Sequence, residues 1–231
     1  MPLRITDTNF EAVMSIYGTP LKYYPSRLCS CVAENGGLPK IGCSCILGYY
    51  YETAQDIQGV RQRVSYKRTN SPSGVIFDGG AQFSIPKFVD SIEQPVWKRL
   101  AKGDVISVVD KFRRETEILK KGVHDKLFAF DVTEIISVTQ KNNVVYVQGR
   151  DFDLVGATIA WRNDATITPA ELSDYVVEYT CNQQYVVWED GAKDRGTIAE
   201  DLPRLVLCVL RRYISKDTNP IDSIPYSQDL Y

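Results

Sequence analysis

The sequence predicts a mostly β protein of the α+β class, built as an antiparallel β-barrel or sandwich, and three observations carry that expectation. Fourteen tyrosines in 231 residues favour pleated, half-buried faces on which aromatic rings pack well. From residue 85 onward, short apolar or alternating runs recur between turn residues at intervals of about 8–12 positions. Helical spacing is confined to the two ends of the chain. The expected organisation is a helix, a Cys-rich segment and short strands over 1–84, an antiparallel β-domain over 85–190, and a C-terminal helix with an extended arm over 191–231.

The N-terminal helix rests on Phe10, Val13, Met14 and Tyr17, which follow i, i+3, i+4, i+7 spacing, with Asp7 or Thr8 as its cap and Gly18-Thr-Pro20 as its end. Residues 19–48 lack periodicity and are dense in turn residues, so they read as irregular. Strands are expected at Val105–Asp110 after the turn Lys102-Gly-Asp104, and at Thr116–Lys120 before Lys121-Gly122. Val132–Thr139 and Val144–Gln148 flank Lys141-Asn-Asn143, a hairpin signal. Ile159–Trp161 is a short strand. Tyr175–Tyr179 and Tyr185–Trp188 read as a second hairpin around Cys181-Asn-Gln-Gln184. A helix is expected from about Asp201, with Pro203 in its first turn, a stripe of Leu202, Leu205, Val206, Val209 and Tyr213, and Arg211, Arg212 and Lys216 at its end. Beyond it, Ile221, Ile224, Tyr226, Leu230 and Tyr231 make the last segment too apolar for a solvated tail, and it reads as an arm that docks on a partner.

Composition is that of an ordinary globular chain, 44% hydrophobic and 24% charged. No run of about 18 or more apolar residues is present, and Met1-Pro-Leu-Arg-Ile-Thr-Asp lacks the basic and apolar regions of a signal peptide. The expectation is a reducing compartment and no membrane. Residues 1–75 carry eight Lys/Arg against five Asp/Glu, and the remainder nineteen against twenty-four. A basic front and an acidic body result.

Four cysteines are the densest chemistry in the chain: Cys29-Ser-Cys31 and Cys43-Ser-Cys45, with eleven residues between the pairs. In an extended segment, positions i and i+2 project to one side, so each pair offers two thiolates to one ion and the two pairs complete a tetrahedral S4 set for Zn²⁺. Free buried thiols and disulfides are the alternatives. Such a zinc would be structural, holding a segment with little apolar surface of its own. Cys181 and Cys208 read as small buried thiols.

Other chemistry is thin. His124 is a lone loop histidine, and there is no nucleophile elbow, Gly-rich phosphate loop or His-Glu-x-x-His. Asp151 and Asp153 are too few for a metal site and fit a turn equally well. The sequence offers no catalytic constellation and the chain is expected not to be an enzyme. Arg61, Arg63, Lys67 and Arg68 interleave with Val64 and Tyr66, as a solvated strand face, a partner contact or a single-strand nucleic-acid groove would.

Two stretches resemble structural proteins of tailed bacteriophages. Cys29-Ser-Cys31 … Cys43-Ser-Cys45-Ile-Leu-Gly48-Tyr-Tyr-Tyr51 is similar to the cysteine-rich segment of neck and head–tail joining proteins, departing from it by Cys-x-Cys at the second pair. Val145–Trp161, continued by Tyr175–Tyr179, is similar to β-domains of connector, collar and baseplate proteins. The resemblance implies a non-enzymatic virion part, a neck or collar component assembled in the host cytoplasm. It would form a homo-oligomeric ring, hexameric or dodecameric, between portal or adaptor proteins and the tail, with packaged DNA passing through. A baseplate or other tail part, and a zinc-stabilised nucleic-acid-binding β-barrel, are the alternatives.

Overall fold

The fold is described from a computed structural model, for residues 14, 16–34, 43, 45–46, 48–63, 80–90, 92–141, 144–190 and 204–211. In chain order its first elements are β1 (Thr19–Tyr24), β2 (Ser26–Leu28), helix α1 (Ser30–Glu34), β3 (Tyr49–Tyr51), β4 (Gln55–Arg63) and β5 (Ala81–Ile85). Then come β6 (Phe88–Val89), β7 (Ile92–Glu93), helix α2 (Pro95–Lys98), β8 (Val105–Lys120), β9 (Val132–Gln140) and β10 (Val144–Tyr146). The last are β11 (Phe152–Val155), β12 (Thr158–Trp161), β13 (Asp174–Asp190) and β14 (Arg204–Leu210). The protein is mostly β, as its tyrosine content and closely spaced short runs predict.

The large sheet runs β10-β9-β13-β14-β5-β4-β1-β8, and β13 also pairs with β8. That extra pairing closes β8, β1, β4, β5, β14 and β13 into a circuit, a barrel without free edges among these strands. Every registered ladder in it is antiparallel. The interior is built by two-residue steps: Leu21 and Tyr23, Phe83 and Ile85, Ile106 and Val108, Tyr185 and Val187, Val206 and Cys208 all face one core. Gly59 of β4 is closely approached: a Cβ there would stand 3.0 Å from Leu21 Cδ1 and 3.2 Å from the Ser84 carbonyl, tight enough that these neighbours would have to give. Buried Gln94 precedes α2 and binds both backbone groups of Gln58 in β4, accepting from its N–H at 2.6 Å and donating to its carbonyl at 3.1 Å.

The chain divides into two compact units, residues 1–109 with 184–231, and residues 110–183. Both divisions fall inside strands, at Val109/Asp110 of β8 and Gln183/Gln184 of β13, away from the expected boundaries at 84/85 and 190/191. In the second unit the rest of β8, the first half of β13, β9 and β10 share a core with the β11–β12 hairpin. Trp161 centres it, meeting Tyr146, Tyr175 and Phe152 edge-on at 5.0, 5.1 and 5.7 Å. Two of its buried tyrosine hydroxyls are matched to carboxylates: Tyr175 donates to Asp125 at 2.6 Å, and Tyr179 donates to Glu117. Burial, then these carboxylates, hold both phenols neutral far above the ordinary tyrosine range.

Several expected elements change. The expected C-terminal helix is, over Arg204–Leu210, strand β14, paired with both β13 and β5. Its apolar run satisfies a helical stripe and a strand equally, and burial between two neighbours selects the strand. The strands expected at 105–110 and 116–120 are one strand, β8, with Asp110 at φ 64° marking its passage between units. The expected hairpin at 175–188 is also one strand: Cys181 pairs with Val132, and Asn182 donates its N–H to the Asp131 carbonyl at 3.0 Å, so the polar link is extended backbone rather than a turn. Part of the segment read as irregular is β1; its Pro20 pairs only with Gln58, because the β8 register starts at Leu21. Most of the expected N-terminal helix lies outside the described residues. Met14, Ile16 and Tyr17 are helical, and the Gly18 N–H closes on the Met14 carbonyl at 2.7 Å.

Candidate metal centre

The cysteines are positioned by a small ribbon that branches from the barrel. In it β2 pairs with β3 through Ser26↔Tyr51, Arg27↔Tyr50 and Leu28↔Tyr49. A tight turn closes on Ile46 and Tyr49, which exchange both backbone hydrogen bonds at 2.9 Å. Gly48 in that turn has φ 82°, a left-handed conformation that favours glycine. The Gly48 carbonyl accepts the Cys29 N–H at 2.7 Å, which fixes the first cysteine against the end of the second pair. The Gly-Tyr-Tyr-Tyr ending of the motif is thus the frame of the site.

Cys29 ends the extended segment and Cys31 lies in α1, so this pair is presented by a strand-to-helix corner rather than by the extended spacing expected from the sequence. Cys29 and Cys31 are buried with Val32, and Cys43 and Cys45 pack against them from a half-buried position. The Cys29–Cys43 and Cys31–Cys45 sulfurs are each 3.6 Å apart, and all four lie within 4.8 Å of one another. Four thiolates at about 2.3 Å from a tetrahedral ion stand about 3.8 Å apart. The four cysteines lie close enough together to bind one metal ion.

Around the sulfurs, the Tyr50 hydroxyl is 3.7 Å from Cys43 Sγ. The Cys45 backbone first, and then Tyr50, bring the Cys43 thiol down to about 6. Burial, then the neighbouring cysteines, push Cys45 well up. A cation at the centre would favour the ionised form of the thiols that bind it.

The ribbon is anchored to the barrel by Asp104, a fully buried carboxylate. Its Oδ1 accepts from Ser26 N at 2.7 Å and Ser26 Oγ at 2.8 Å; its Oδ2 accepts from Tyr23 Oη at 2.6 Å and Ala101 N at 2.7 Å. Arg99 adds a bond to the Ser26 carbonyl at 2.7 Å and an ion pair with Glu52 at 2.7 Å. Sequence reading places a turn at Lys102-Gly-Asp104 and misses this role. Nothing in the local sequence separates an aspartate that gathers four donors from one that merely ends a turn.

The remaining expected sites fall as follows. Arg61 lies on β4, where its guanidinium donates to Tyr185 Oη at 3.1 Å and sits 5.9 Å over that ring. Arg63 ends β4, its backbone opposite Ala81. Lys67 and Arg68 lie outside the described residues, as do Ile221, Ile224, Tyr226, Leu230 and Tyr231 of the expected arm. Asp151 is buried in its own turn, accepting from Val147 N at 2.8 Å, and the Arg150 guanidinium first of all holds its carboxyl down to about 2. Asp153 faces Arg162. His124 is exposed in the turn after β8, bridged to Lys120. Cys181 and Cys208 are buried, one in each core.

No family model matches the chain, and no curated protein matches it in sequence.

Proposed function

We propose that this chain is a non-enzymatic structural part of a tailed-phage virion, a neck or collar component that forms a ring between the portal side of the head and the tail. The observation that carries the reading is how the described side chains are spent. Asp104 and Asp151 are buried and Glu117 and Asp125 half-buried, and all four carboxylates are bound to tyrosines, backbone N–H groups or a neighbouring arginine. Meanwhile large apolar groups stay outside. Phe112 and Ile118 project from the same face of β8 at 63% and 70% exposure, and Val145, Val155 and Leu172 of the same unit are also exposed. A chain that turns its polar chemistry inward and leaves apolar surface outside is suited to completing that surface in an assembly. The resemblance of the cysteine-rich and Trp161 stretches to phage joining proteins supplies the kind of assembly. Ring contacts of this sort are heterologous and closing.

The test is assembly state and position. A hexameric or dodecameric ring by mass photometry, with matching density at the neck in particle images, is the expected result. A strict monomer that joins no particle overturns the proposal, and density at the baseplate replaces the neck by the tail tip.

The ion in this reading is Zn²⁺. An all-sulfur set with near-tetrahedral spacing, joined by no His, Asp or Glu among the described residues, matches a closed structural zinc site. Metal analysis of protein purified under reductant is expected to give about one zinc per chain, with nearly all of it lost in Cys29→Ser. Zinc below a tenth of that level sinks the assignment.

A further inference from the structure

Two of the close sulfur contacts, Cys29–Cys43 and Cys31–Cys45, each join one reachable cysteine to one protected cysteine. Cys43 and Cys45 are half-buried, whereas their neighbours at 3.6 Å, Cys29 and Cys31, are buried. These two contacts run between the two halves of the motif, between residues fourteen positions apart, and share no sulfur with each other. An oxidant arriving from solvent therefore meets a sulfur that has its own resolving partner directly behind it.

We propose that the centre is a two-state staple: metal-bound in reducing surroundings, and closed by the disulfides Cys29–Cys43 and Cys31–Cys45 when a hydroperoxide reaches it. This deepens the zinc reading and rests on it. In each pair the outer thiolate attacks the terminal peroxide oxygen, the O–O bond breaks, and a sulfenic acid forms as the alkoxide or hydroxide takes up a proton. The inner thiolate then displaces hydroxide from that sulfur, the S–S bond forms, and the hydroxide takes a second proton to leave as water. Two thiolates lose two electrons and one peroxide gains them. Two peroxides thus consume the four sulfurs and release the cation to solvent. Because both new bonds link positions already in contact, the same two halves of the motif remain tied together after the metal has gone.

The chain carries its own assay. Trypsin cutting at Arg27, Lys40 and Arg61 places Cys29 and Cys31 on peptide 28–40, and Cys43 and Cys45 on peptide 41–61. The zinc content of the full chain is measured first, under reductant. Hydrogen peroxide is then added, zinc release is followed with a chromogenic chelator, and the non-reduced digest is weighed. The expected result is zinc release in step with a joined 28–40/41–61 species four hydrogens lighter than the sum of the two reduced peptides, reversed by dithiothreitol and zinc. Cys31→Ser combined with Cys45→Ser, which keeps only Cys29 and Cys43, is expected to give the same joined peptides through one bond. Zinc release with the two peptides separate, either closed internally or oxidised to sulfinic acids, overturns the proposal. A chain free of zinc before any peroxide overturns the zinc assignment instead, at a distinguishable step.

Discussion

Asp104→Ala is expected to lower the stability of the barrel unit by about 3–5 kcal/mol, among the largest effects of any single substitution in the chain. The carboxylate is fully buried and gathers Tyr23 Oη, Ser26 N, Ser26 Oγ and Ala101 N. Alanine leaves Ser26 N, Ser26 Oγ and Ala101 N without this acceptor, while Tyr23 Oη keeps the Arg99 carbonyl. Asparagine keeps the shape but turns an NH2 group towards donors, so it is expected to cost about half as much. Urea unfolding followed by circular dichroism reads the effect as a midpoint lower by roughly 2 M, at a slope of about 2 kcal/mol per M. Ser26 leads into Leu28 and Cys29, so the alanine variant is also expected to lose its metal at lower chelator concentration. A loss below about 1 kcal/mol would mean that the carboxylate does not organise the ribbon.

Phe83→Ala is expected to cost about 3–5 kcal/mol by opening a cavity in the barrel interior. Phe83 has no solvent exposure, sits on β5 between β4 and β14, and meets the Tyr185 ring edge-on at 5.4 Å. A closed barrel has little freedom to collapse around a missing ring, because each strand is held on both sides. Phe83→Leu keeps most of the volume and is expected to cost about 1–1.5 kcal/mol. Thermal and urea unfolding check both. Equal, small effects for leucine and alanine would show that the six strands do not enclose a tight core.

How much of this was legible before the structure depends on what kind of information each element carries. The β9–β10 hairpin and β12 are written locally, in alternation and turn residues, and they stand where expected. The continuity of β13 is not local. Cys181-Asn-Gln-Gln184 has turn composition, and only its pairing with β9 and the burial of Asn182 and Gln184 make it extended. The same holds for β14, whose apolar run gains its strand character from β5 and β13. The cysteine cluster was legible as a set because doubled Cys-x-Cys needs no partner to be noticed. Which sulfur faces which, and that a helix rather than a strand carries Cys31, depends on the Gly48 turn folding back onto Cys29.

The way β8 and β13 each cross between units has a consequence for synthesis. When residue 109 has left the ribosome, β5, β4, β1 and the start of β8 can already pair in that order, leaving one side of β5 and one side of β8 without a neighbour. Their partners, β14 and the end of β13, follow only after residues 110–183, which have their own core to fold. At about 5–20 residues per second the roughly 100 intervening residues keep that half-built sheet waiting about 5–20 s. During that interval Phe83, Ile85 and Ile106 line an uncovered face between two adhesive edges. The nascent chain is then at its most prone to pair with its siblings, and chaperone demand should peak before the last staves arrive.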